Sequence, residues 1–188
     1  MSILDIRVLG DPVLRKPTKP VIEVTDELRK LIANMFETMY VAEGIGLAAP
    51  QVGRTDRLAV VDVEGAKYVL INPRIVSTQG SRKEMAEEGC LSIPDIYGDV
   101  ERPATVTIRA MDENGNEYEA TASELLGRCF QHEIDHLDGK LFIDYLSPLK
   151  RKAAMSKWEK AKGEYPGSIR KVRSEEKGEH HHEHETEM

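Results

Sequence analysis

The stretch that most restricts how this chain can fold is Gln131-His132-Glu133-Ile134-Asp135-His136, which has the form H-E-x-x-H. In a helix, His132 and His136 stand one turn apart on one face, so both imidazoles can reach a single metal ion. Glu133 follows the first imidazole and can point to the ion's open position, where it would handle the proton of a water. Two apolar stripes flank this pattern. Leu125 and Cys129 run into the histidine face, and Leu126, Phe130, Ile134 and Leu137 form the other. A helix that is apolar on two faces is buried. This one is expected to begin near Ser123, to stop at Asp138-Gly139, and to be central, with the rest of the chain wrapped around it.

The remaining elements follow from local pattern. Pro12, Pro17 and Pro20 make the opening turn-rich and extended. Thr25 has the character of an N-cap, with Asp26 and Glu27 behind it, and Leu28, Leu31, Ile32, Met35, Phe36, Met39 and Tyr40 keep the i, i+3, i+4 rhythm to about Gly44. That stripe is core filler. Residues 58–63 and 68–71 read as strands around Glu64-Gly65, and residues 105–110 and 117–121 as a hairpin whose Asn114-Gly115 is a type I′ signal. Residues 141–143 read as a short strand. Ser147-Pro148 opens a lysine-rich helix that Pro166-Gly167 closes.

Charge is segregated along the chain. Residues 1–147 hold 16 Lys/Arg against 25 Asp/Glu, residues 148–173 hold 9 against 2, and residues 174–188 hold 1 against 6. A basic segment behind an acidic body suits an anionic partner such as nucleic acid, although a solvated helix face explains it equally well. The length suits one compact domain. Two cysteines, Cys90 and Cys129, exclude a disulfide scaffold. The first residues lack the basic start and apolar run of a signal peptide, and no apolar run approaches a membrane span, so a cytoplasmic location and no membrane partner are expected.

Either histidine alone would be read as an ordinary helix residue, and Cys90 as a small buried hydrophobe. Together they say more. The other four histidines all lie at 180–184, so the body of the chain uses histidine only here, and Cys90 in Glu88-Gly89-Cys90-Leu91 offers a third ligand from a loop. A His2Cys set keeps one position open, which is the catalytic arrangement. Hydrolysis through it needs donors for an oxyanion, and the Gln51 amide and the Leu91 N–H can supply them. This gives a purpose to the bare stretch Gly44-Ile45-Gly46-Leu47-Ala48-Ala49-Pro50-Gln51-Val52-Gly53, which taken alone reads better as a tight loop packed under a helix.

Residues 44–51, residues 88–92 and residues 131–136 together resemble the three motifs of bacterial peptide deformylases, in order, spacing and content. The resemblance covers residues 1 to about 165, including a basic C-terminal helix (about 147–165), and leaves a charged, disordered tail at 166–188. It implies an α+β fold, with antiparallel strands around a central metal-binding helix and a C-terminal helix. It implies removal of the formyl group from the initiator methionine of nascent chains, with release of formate. The implied metal ligands are Cys90, His132 and His136, holding Fe2+ natively or Zn2+, Ni2+ or Co2+ after preparation. Glu133 is implied as general base and acid, with Gln51 and Leu91 as oxyanion donors. The methionine pocket would take Ile45, Leu125 and Cys129, and Gly46 and Gly89 would hydrogen-bond the substrate backbone. Glu88 and Arg102 resemble a pair that steadies the cysteine loop. Asp95-Ile96-Tyr97-Gly98 departs from relatives that carry a basic residue there, and Arg128 stands where some relatives are apolar. In some members the C-terminal helix docks on the ribosome, a role that Lys150, Arg151, Lys152, Lys157, Lys160 and Lys162 would fit.

Two rival readings remain at this point. A zincin-type endopeptidase would draw its third ligand from downstream, where Glu159 and Glu164 are the available carboxylates. A nucleic-acid or ribosome-binding module would need a closed four-ligand structural site, which Cys129 cannot complete from the ligand helix itself.

Overall fold

The computed structural model describes residues 1–173. Its strands are β1 (Ile6–Arg7), β2 (Gly46–Ala48), β3 (Leu58–Val63), β4 (Ala66–Thr78), β5 (Lys83–Cys90), β6 (Ile93–Pro103), β7 (Thr105–Met111), β8 (Glu117–Ser123) and β9 (Ile169–Arg170). The helices are α1 (Asp26–Val41), α2 (Glu124–Leu137) and α3 (Pro148–Ala161). Five strands form one antiparallel sheet in the order β2-β3-β4-β7-β8, while β5 pairs with β6 and β1 with β9. The fold is α+β, as expected.

β3 explains the layering. Its residues are almost all apolar, and their period of two sends alternate side chains to opposite faces. Leu58 and Val60 join α1 residues Leu31, Met35 and Met39 on one side. Ala59 and Val61 join Phe130, Ile134 and Leu137 of α2 on the other. The sheet is thus sandwiched between the two helices, which is why β3 shows no polar alternation. A third core places Ile93, Ile96 and Val100 of β6 against Leu141, Phe142 and Trp158.

α1 begins as expected, with Thr25 Oγ1 accepting the Leu28 N–H. α2 is buried almost throughout, from Gly127 to Ile134 and again at His136 and Leu137. A Cβ on Gly127 would come 2.6 Å from the Ala122 carbonyl, so only glycine lets α2 pack this closely on the end of β8. The Ser123 hydroxyl does not cap α2; it bonds Thr105 Oγ1 across the β7–β8 ladder.

Several expectations are revised. The loop expected around Cys90 is a hairpin of two long strands, and Cys90 is the last residue of β5. The bare stretch at 44–53 is not a loop either: it contains β2 and a short 3-10 turn over Ala49–Val52. Residues 141–143 form no strand; Asp144 accepts the Leu141 N–H and winds Phe142–Tyr145 into a 3-10 turn. The β7–β8 connection is not type I′, because only Gly115 has positive φ (79°) and Asp112 Oδ1 binds the N–H groups of Asn114 and Asn116. The folded body also passes the boundary expected at 165. Residues 166–168 turn the chain, β9 pairs with β1 (Ile6↔Arg170, Arg7↔Ile169), and Val8 N–H bonds the Ser168 carbonyl. The charge pattern misled here, because this charged segment is held by backbone pairing with β1 and by Val172 packed against the α1 core. The tail expectation for 174–188, including His180–184, lies outside the described residues.

Candidate active site

α2 delivers His132 and His136 from adjacent turns, and the end of β5 delivers Cys90. All three are buried, and their ligand atoms lie within 4.8 Å of one another. His136 Nε2 stands 3.2 Å from His132 Nε2 and 3.3 Å from Cys90 Sγ. The ladder between β5 and β6 breaks its register here: Glu88 pairs with Gly98 and Cys90 with Ile93, so Gly89 faces the four residues 94–97. Such an irregularity re-aims a side chain, and here it turns Cys90 toward the histidines.

Glu88 sets the orientation. Its Oε1 accepts from His132 Nδ1 (2.9 Å) and Arg102 Nη2 (2.8 Å), and its Oε2 from Arg102 Nε (2.6 Å) and Arg128 Nη1 (2.7 Å). Burial alone would raise this carboxyl, but the hydrogen bonds from Arg102 and His132 outweigh it and hold it well below the usual carboxylate range. An ionised carboxylate only accepts, so His132 must donate from Nδ1, which leaves its Nε2 lone pair facing the other two ligand atoms. The Glu88–Arg102 pair expected from the resemblance is therefore present.

Arg128, left open by the sequence, is buried and joins the Glu88 network one turn before His132. It binds Glu88, the Val100 carbonyl (2.8 Å) and the Glu84 carbonyl (2.9 Å), tying α2 to the hairpin that carries Cys90. Asp135, between the two histidines in the sequence, accepts from Arg102 Nη1 and from Tyr145 OH, both at 2.8 Å. Sequence reasoning missed Asp135, Tyr145 and Ser92. Arg102 reaches Asp135 across 33 residues and Gln51 reaches Ser92 across 41, while Asp135 and Tyr145 meet across ten, and no local spacing marks any of these pairs.

Glu133 is fully buried, and neither of its carboxylate oxygens has a hydrogen-bond partner among the described residues. Burial pushes its carboxyl well above the usual range, and the Glu88 charge adds to the effect. Burial, with His132 alongside, likewise holds the His136 imidazole well below its ordinary value, so it stays neutral and able to ligate. A thiol, two imidazole nitrogens converging at 3.2 Å, and an unpaired buried carboxylate together suit a divalent cation. The residues fit the ion.

The other sequence candidates fall around this centre. Gln51 is buried; its Oε1 accepts the Ala48 N–H, and its Nε2 reaches Ser92 Oγ at 3.1 Å and Cys90 Sγ at 3.6 Å. Leu91 is buried beside Cys90, and a Cβ on Gly44 would come 2.6 Å from Leu91 Cδ1. A Cβ on Gly46 would collide with the Glu133 carboxylate and lie 2.9 Å from Cys129 Sγ, so Gly46, Glu133 and Cys129 converge. Cys129 Sγ also meets the Ile45 carbonyl at 3.8 Å. Gly89 is buried between Glu88 and Cys90. Leu125 stands apart, 38% exposed at the start of α2.

A helical H-E-x-x-H pair, a strand-end cysteine and a buried free carboxylate place the protein in the class of metallohydrolases. Comparison with known proteins narrows the class. The chain matches the polypeptide deformylase family over residues 3–152. It is 54% identical over 171 residues to the peptide deformylase of Hydrogenovibrio crunogenus, covering 89% of this chain and 100% of that one. The crystal structure of a peptide deformylase from Legionella pneumophila superposes with a TM-score of 0.82 at 48% identity, over 86% of this chain and 96% of that one. One from Synechococcus elongatus, in complex with actinonin, superposes at 0.79 and 49% identity, over 90% and 91%. The chain belongs to the polypeptide deformylase family, enzymes that remove the N-formyl group from nascent polypeptides. Among the described residues no helix is long and apolar enough to cross a membrane.

Proposed function

We propose that Cys90, His132 and His136 hold one divalent ion, natively Fe2+, with Zn2+, Ni2+ or Co2+ as substitutes, and that formyl-methionine hydrolysis proceeds on Glu133. The convergence of the three ligand atoms beside an unpaired, buried carboxylate carries this reading. Held there, the ion supplies Lewis acidity at the formyl group and acidifies the attacking water. Glu133 accepts a proton from that water as its oxygen bonds the formyl carbon. It then delivers the proton to the methionine nitrogen as the C–N bond breaks, giving formate and a free amine. Its raised proton affinity suits both duties.

Gln51 Nε2, already directed at Cys90 Sγ, and the Leu91 N–H donate to the developing oxyanion. Ile45, Leu125 and Cys129 line the methionine side chain, with Leu125 at the exposed rim. Gly46 and Gly89 offer backbone groups to the peptide. Gly46 serves because any side chain would strike Glu133. The catalytic unit comprises residues 1–165 together with the segment through 173 that packs on it, and it works in the cytoplasm.

The exposed face of α3 is the proposed ribosome contact. Lys150, Arg151 and Lys162 are engaged by Asp99, Asp144 and Glu159. Lys152, Lys157 and Lys160 are exposed without an ion-pair partner among the described residues, and replacing these three with alanine should weaken ribosome binding while leaving hydrolysis of a small formyl-peptide unchanged.

The central test is formate release from formyl-Met-Ala-Ser by anaerobically purified protein, with metal measured on the same sample. About one ion per chain is expected, and Glu133→Ala should lose on the order of 10²–10⁴-fold in rate while keeping the ion. Wild-type protein that holds the ion yet releases no formate would overturn the reading.

A further inference from the structure

We infer that Arg170 is a positioning residue for hydrolysis, holding from the C-terminal strand the turn that presents Cys90 and Leu91. The inference rests on the proposed role of the Leu91 N–H as an oxyanion donor.

The turn between β5 and β6 is two residues long, Leu91 and Ser92, closed by the Cys90↔Ile93 pair. It is gripped from several directions. Gln51 Nε2 donates to Ser92 Oγ (3.1 Å), the Leu9 N–H donates to the Ser92 carbonyl (2.9 Å), and the Leu91 side chain is wedged against Gly44. The Leu91 carbonyl takes its hydrogen bond from Arg170 Nη1 at 3.0 Å, across 79 residues of sequence. The peptide after Leu91 is thereby fixed in orientation, while Cys90 and the wedged side chain fix the residue from its other end. Together these constraints set the direction of the Leu91 N–H.

Arg170 is built into position. Gly167 and Ser168 both adopt left-handed backbone (φ 68° and 58°), turning the chain back so that β9 lies along β1. Lys171 continues the attachment with a 2.8 Å bond to Asp5. A ladder of two residue pairs has little stability of its own. The guanidinium adds a charge-assisted bond from this segment to the catalytic turn. An oxyanion donor acts by being aimed before the reaction, so a donor that wanders loses rate more than substrate affinity.

The test uses the full chain loaded with metal, with Arg170→Met and Arg170→Lys compared with wild type. Expected for Arg170→Met is a kcat lower by about five- to twenty-fold, short of the roughly 10²–10³ loss when a whole donor is removed. KM should stay within about two-fold and metal content should not change. Arg170→Lys, which keeps the charge, should recover part of the rate. Hydrogen–deuterium exchange on metal-free protein should quicken in a peptide spanning residues 90–93 of Arg170→Met and stay unchanged in α2. Wild-type kcat and KM in Arg170→Met, a KM rise that accounts for the whole loss, or metal loss from both variants would each overturn the inference. Wild-type protein without deformylase activity would instead overturn the functional reading beneath it.

Discussion

Glu88 accepts four hydrogen bonds on two oxygens, three from guanidinium nitrogens of Arg102 and Arg128 and one from His132. With Arg102 only 4% exposed and Glu88 fully buried, this is an ion pair whose worth lies in completeness. Removing one member strands the other in low dielectric. Arg102→Met is therefore expected to lower unfolding free energy by about 3–5 kcal/mol, read from urea titration, because Glu88 and Asp135 both lose a partner. A loss below about 1 kcal/mol would show that Arg128 alone satisfies Glu88. Gly46 makes a different demand. Its missing Cβ leaves room for Glu133 and Cys129, so Gly46→Ala should shift the carboxylate and cut kcat on the order of 10²-fold with metal content intact. Equal kcat in the variant would mean that Glu133 yields without consequence.

At the scale of elements, legibility followed local periodicity. α1 was readable because a 3.6-residue stripe and the Thr25 cap specify a helix, α2 because its stripes do so without a cap, and β3, β7 and β8 because their strands alternate or run apolar between turn residues. The β5–β6 hairpin was not, since its pairing is long-range in effect: Glu84, Glu87 and Glu88 look like a charged loop until Arg102 and Arg128 are placed beside Glu88. The same holds for residues 141–145, where Leu141-Phe142-Ile143 has strand composition but Asp144 bends the backbone by capping it. The three proposed ligands and Glu133 stood out in the sequence because metal chemistry uses few residue types. Asp135 and Ser92 are common residues and gave no signal. Asp144 carries a prediction of its own. Partial burial would raise its carboxyl, but the Arg15 hydrogen bonds and the Leu141 N–H prevail and lower it below the ordinary 3.8. A depressed carboxyl stabilises the fold above its unfolded value, and the contribution is lost as pH falls through the folded value. Asp144→Asn should therefore cost about 1 kcal/mol at pH 7, modest because the pair is part-exposed, and the difference should shrink as pH drops from 4 toward 3. A difference that does not change with pH would assign the cost to lost geometry and not to charge.

Across the whole molecule, the proposed ligands come from two apolar cores. Cys90 belongs to the hairpin core with Ile93 and Val100, while Phe130 and Ile134 of the histidine helix belong to the core beneath the five-stranded sheet. Each body has its own apolar interior, so the secondary structure does not depend on an ion. What an ion adds is a clamp between them, alongside Arg102 and Arg128. Binding to the folded form alone stabilises by mass action, about 4 kcal/mol when the ion is a thousandfold above its dissociation constant. For a chain of this size each kcal/mol is worth about 2–4 °C. Stripping the ion with a chelator should then lower Tm by about 10 °C while the far-ultraviolet circular dichroism at 25 °C stays the same, and adding metal back should restore Tm. Cys90→Ser, which weakens the bridge from the hairpin side, should show a much smaller response to both treatments. If chelation leaves the wild-type Tm unmoved, the two bodies are held by the Glu88 network alone and the ion acts only in the chemistry.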